Sequence, residues 1–91
     1  MNKSILIKEL SDPRTVVITS IFSMTYNEGS ENAKEMLSLI IKYAHKGSII
    51  IPERFLYMIP KNWTIMDEGQ LYLSDGIKEK AYIVYFGMNI S

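Results

Sequence analysis

The stretch Ala81 to Met88 is apolar on both strand parities. Tyr82, Val84, Phe86 and Met88 fall on one side of an extended chain, and Ala81, Ile83 and Tyr85 on the other. Side chains alternate sides at every residue of a strand, so a segment of this kind loses burial free energy unless an apolar layer lies against each face. Only one other segment has the pattern of a long helix able to supply such a layer. Ser30 is placed to cap it, Glu31 sits in its first turn, Lys42, His45 and Lys46 sit in its last, and Gly47 follows, so both ends suit the helix dipole. Ala33, Met36, Leu37, Ile40, Tyr43 and Ala44 form its apolar stripe, flanked by Leu39 and Ile41, with Lys34, Glu35 and Ser38 on the solvated arc.

Such a helix is roughly 25 Å long and about 10 Å across. With strands about 4.8 Å apart it shields two or three of them on one face. The rest of the sheet must close on itself, be covered by the Pro52 to Asn62 segment, or meet a second copy or a different protein.

The remaining segments predict strands. Ser4–Leu10 and Thr15–Tyr26 read as a pair joined by Ser11, Asp12, Pro13 and Arg14, a turn-forming run. After the helix come Ser48–Ile51, Phe55–Ile59, Trp63–Met66, Leu71–Ser74 and Ile77–Met88. Pro52–Met58 fits either a strand or one helical turn, since Pro suits a first helical position and Glu53 a first turn. Asp67 to Gln70 reads as a turn, and Asp75-Gly76 as a two-residue hairpin. The expectation is an α+β fold in one domain spanning residues 1–91. It has an N-terminal β-hairpin, one amphipathic helix and a C-terminal antiparallel β-meander in a single, mostly antiparallel sheet. That order is similar to the β-grasp arrangement, a likeness of topology that carries no motif and no function.

Composition removes several function classes. Ten basic and ten acidic residues give a net charge of zero, so no whole-molecule field draws in a nucleic-acid backbone. Zero cysteines exclude disulfides, thiol nucleophiles and thiolate metal sites, and favour a reducing, cytoplasmic setting. Met1–Leu10 lacks the features of a secretory signal, and no apolar run approaches the roughly 20 residues of a membrane-spanning helix. Abundant isoleucine, with lysine in place of arginine except at Arg14 and Arg54, is the bias of an AT-rich genome and suits a phage or mobile-element product.

Chemistry-bearing residues are sparse. His45 is the single histidine and belongs at the cationic end of the helix. Asp67, Glu68 and Asp75 lie in expected turns, and the five glycines are too scattered for a phosphate loop. The chain is therefore expected to be no enzyme and to hold no metal and no cofactor. What stands out is the aromatic load of the second half. Trp63, Tyr72, Tyr82 and Tyr85 are the expected hot spots of a protein-binding module, a regulator or inhibitor that occludes its partner, with self-association as a homodimer as one outcome. The alternative is an oligomeric binder of a small anionic or nucleotide-like ligand, gripped by Arg54, Tyr57 and Lys61.

Overall fold

In the computed structural model, which describes residues 2–72, 76 and 78–88, the chain runs through eight elements. They are α1 (Lys3–Ser11), β1 (Val16–Ser20), α2 (Ile21–Asn27), α3 (Ser30–Tyr43), β2 (Lys46–Pro52), a 3-10 turn (Glu53–Met58), β3 (Thr64–Tyr72) and β4 (Lys78–Phe86). The fold is α+β, with the strands in one mixed sheet of order β1-β2-β4-β3.

The expected N-terminal hairpin is replaced by a helix, a short strand and a second helix. The Asn2 side chain accepts from the N–H groups of Ser4 and Ile5 and so starts α1. Leu6 and Leu10, one turn apart, face the core, while Ile5 is 61% exposed. Asp12 does form a turn, accepting from the Arg14 N–H at 2.9 Å, but it joins a helix to a strand. The long second strand expected over Thr15–Tyr26 stops at Ser20, whose hydroxyl accepts from the Ser23 N–H and caps α2. Ile21, Phe22 and Thr25 then turn inward at helical spacing.

Strand β1 pairs with β2 in parallel, Val16 opposite Lys46 through Ser20 opposite Ile50. A parallel pair needs a crossover, and α2 and α3 supply it. Helix α3 runs from Ser30 to Tyr43; Gly29, not the expected Ser30, is its N-cap and no side chain caps it, and it ends at Tyr43 because Lys46 and Gly47 belong to β2. The meander is also corrected. Strand β4 enters between β2 and β3 and is antiparallel to both. The turn expected at Asp67 to Gln70 is instead the middle of β3, with a register shift between Ile65 and Asp67 absorbing one residue. Pro52–Met58 resolves toward its helical reading: Glu53–Met58 is a 3-10 turn that buries Phe55. In the expected hairpin signal, Gly76 has φ +84° and Asp75 lies outside the described residues, as do Leu73 and Ser74 of the expected strand Leu71–Ser74.

Side chains from every helix enter one core on one side of the sheet, and Pro52 and Ala81, of the opposite strand parity, are buried as well. Val17, Ile49, Ile51, Val84 and Phe86 point from the sheet into a core closed by Leu10, Ile21, Ala33, Leu37, Ile40 and Phe55. The molecule is 18 Å in its thinnest dimension, the depth of one sheet and one helical layer. The lid is thus broader than one helix, and it roofs one face while the other is buried only at its Pro52–Ala81 end.

Candidate interaction surface

Alternation along the strands puts a second set of side chains on the opposite face. Direct cross-strand partners point the same way, so the register defines rows across that face. Ile18, Ser48, Tyr85 and Thr64 make one row, and Ser20, Ile50, Ile83 and Asp67 make the next. Above them come Pro52, Ala81 and Gly69, then Glu79 and Leu71; below lie Val16 and Lys46. Ile18 is 79% exposed, and Val16, Leu71 and Ile83 are also exposed. These apolar side chains span the sheet from one edge strand to the other, more than isolated surface hydrophobes require.

The face is not flat. Gly69 stands opposite Ala81, so two small residues meet where β3 and β4 pair. The resulting groove has a volume of about 180 Å³ and is lined by Ile50, Asp67, Glu68, Gly69, Leu71, Ala81, Tyr82 and Ile83. An engineered apolar cavity of about 150 Å³ accepts a benzene ring, so this groove has room for one branched aliphatic side chain.

The four aromatic hot-spot candidates do not share this face. Tyr85 lies on it, half-buried. Trp63 stacks on Phe86 on the helix side. Tyr82 also points to the helix side, where its hydroxyl donates to Glu53 Oε2 at 3.1 Å. Burial, followed by that hydrogen bond, raises the Tyr82 pKa above its ordinary value. Tyr72 shares the parity of Tyr82 and is exposed, with the Lys78 ammonium 5.3 Å from its ring centroid. Sequence reasoning missed Ile18, Ile50, Ile83 and the Gly69–Ala81 pair, because aromatic content carries no information about which parity faces the helices.

Arg54, Tyr57 and Lys61 are not brought together either. Tyr57 and Lys61 are exposed, and no hydrogen bond or ion pair among the described residues joins them to Arg54. Arg54 instead pairs with Glu79, whose carboxylate also accepts from the Tyr26 hydroxyl. This cluster draws α2, the 3-10 turn and β4 together and bounds the open face at its upper end. Burial works against the Arg54 charge, but bonds to Tyr26 and Glu79 outweigh it and hold its pKa above the ordinary value. The Tyr26 phenol is raised, first because its proton is shared with Glu79. No spacing rule connects residues 26, 54 and 79, so only the fold reveals the cluster.

His45 and Asp67 each make a local hydrogen bond. His45 Nε2 lies 2.9 Å from the Ser11 carbonyl oxygen, which can only accept, so the imidazole donates and ties the end of α3 to the end of α1. Asp67 accepts from the Glu68 N–H at 2.8 Å. Among the described residues no group of three His, Cys, Asp or Glu side chains is placed to hold a metal ion, and no helix is long and apolar enough to cross a membrane. Compared with known proteins, the chain matches no family model, no curated protein and no solved structure.

Proposed function

We propose that the chain is a small cytoplasmic protein-binding module, a regulator or inhibitor that occludes its partner by laying its open sheet face against it. The observation supporting this reading is the apolar strip Val16, Ile18, Ile50, Ile83 and Leu71, which crosses all four strands and of which all but the half-buried Ile50 are exposed among the described residues. Neutral net charge is consistent with recognition through shape and apolar contact. A phage or mobile-element origin fits such a role. The small-anion alternative draws no support from Arg54, whose charge Glu79 already meets.

Site-specific photocrosslinking tests the proposal in the cells that express the protein. A photoreactive residue at Ile83 should yield a discrete adduct with a protein partner, whereas one at the exposed Ser38 of α3 should not. Adducts of equal yield from both positions, or none from Ile83, would refute it.

A further inference from the structure

We infer that a second copy of this chain covers the open sheet face when no other partner does. The pairing is a two-fold dimer in which Ile18 of each copy enters the groove over Gly69 and Ala81 of the other. It rests on the reading of this face as a docking surface and names its occupant.

A two-fold interface is self-complementary, so one patch must carry both a projection and the recess that receives it. This face does. Ile18 on edge strand β1 is its most exposed large apolar side chain, and the groove at the β3–β4 pairing is its recess. The groove is apolar and of the right volume for an isoleucine side chain.

Charge supplies an independent check. Lys46 and Asp67 lie on the same face, and neither forms an ion pair among the described residues. The strand spacing of about 4.8 Å and the rise of roughly 3.3 Å per residue lay the face out as a lattice. On it, the in-plane axis that carries Ile18 onto the groove also carries Lys46 to within about 6 Å of Asp67, in reach of a lysine side chain. One symmetry operation thus satisfies the apolar contact and two ion pairs. The net charge of zero leaves no long-range repulsion between copies.

Size sets the strength. Four strands span about 19 Å across the sheet, and their lengths of five to nine residues span about 17 to 30 Å. That is on the order of 450 Å² in projection, and side-chain relief brings the pair near 1,200 Å² in total, the lower end for a specific interface. The dimer is therefore weak, with a dissociation constant on the order of tens of micromolar, and a tighter partner displaces it.

Sedimentation of the full chain from about 1 to 500 µM should show monomer–dimer exchange in that range. Ile18→Asp puts a charge in the groove, and Gly69→Val fills it from beneath. A Cβ at Gly69 meets no atom within 4 Å, and Val suits a strand position, so that variant is expected to fold. Each should weaken dimerisation by at least about tenfold while circular dichroism stays unchanged. Lys46→Glu should weaken it less, and the charge swap Lys46→Glu with Asp67→Lys should restore it. A chain monomeric throughout, or a dimer indifferent to these variants, overturns the inference. If the Ile83 cross-link to another protein persists in such a monomer, only the self-pairing is lost and the docking role stands. If the variants break the dimer but no other protein is captured, the dimer stands and the occluding role falls.

Discussion

The indole of Trp63 lies flat on the ring of Phe86, centroids 4.0 Å apart and planes within 10°. Phe86 is in the core, and Trp63 closes that core at the start of β3. The aromatic residue that composition marks as an interface anchor therefore serves as packing on the helix side. Trp63→Ala should cost about 2 to 4 kcal/mol, less than a fully buried tryptophan because the indole is only half-buried. Urea unfolding followed by circular dichroism checks this. The midpoint should fall while the slope with denaturant is kept.

Two glycines of positive φ separate steric from conformational cost. At Gly87, φ is +67° and an added Cβ would stand 1.8 Å from the His45 carbonyl oxygen; at Gly29, φ is +92° with nothing within 4 Å. Gly29→Ala should cost about 1 to 2 kcal/mol, the backbone penalty alone, since φ +92° with ψ 156° is a region that essentially only glycine enters. Gly87→Ala must also move backbone at the start of β2 and should cost at least about 3 kcal/mol. Paired thermal melts measure the difference. Equal costs would mean that the β2–β4 end yields freely around Gly87.

The parity of the sheet makes a sharper contrast. Ile18 and Ile49 are both strand isoleucines, but Ile49 is fully buried against the helices and Ile18 is on the open face. Ile49→Ala should destabilise the monomer by about 2 to 5 kcal/mol. Ile18→Ser should leave it within about 0.5 kcal/mol. Measured at dilution below self-association, a large loss at Ile18 would mean that something covers β1.

How far the chain was legible follows from how local each signal is. Helix α3 was legible because its apolar stripe and first-turn Glu31 agree; its cap and end were misplaced, since Gly29 rather than Ser30 is the N-cap and Gly47 serves a strand rather than a helix stop. Helix α1 was not, because Ile5, Leu6, Ile7 and Leu10 satisfy both the two-residue and the helical period over so short a run. Its deciding feature is the Asn2 cap, one side chain accepting from two backbone N–H groups. The parallel β1–β2 pairing and the insertion of β4 between β2 and β3 are non-local, and no residue pattern within a window encodes them. The two-sided apolarity of β4 did announce an interior strand, one that also sets apolar side chains on the face away from the core. Which side chains lie on that face depended on register, and so did the Gly69–Ala81 groove.

The Tyr26–Glu79 bond makes stability depend on pH at the alkaline end. The Tyr26 phenol is raised above its ordinary value of 10.0, chiefly because its O–H donates to Glu79, so the folded state favours the protonated form. Its contribution is fully present below the unfolded pKa and is lost as pH rises through the higher folded value. Tyrosinate absorbance should therefore show a late-titrating phenol that is missing in Tyr26→Phe. In Glu79→Gln that phenol should move back toward 10, because the carboxylate charge opposing its ionisation is gone, while Tyr82, raised first by burial, stays put. The same variant leaves the Arg54 guanidinium without its carboxylate. Its stability deficit against wild type should be largest near neutral pH and shrink as Tyr26 ionises in the wild-type protein. A deficit that grows with pH in this range would reverse the assignment and place the shared proton elsewhere than on Tyr26.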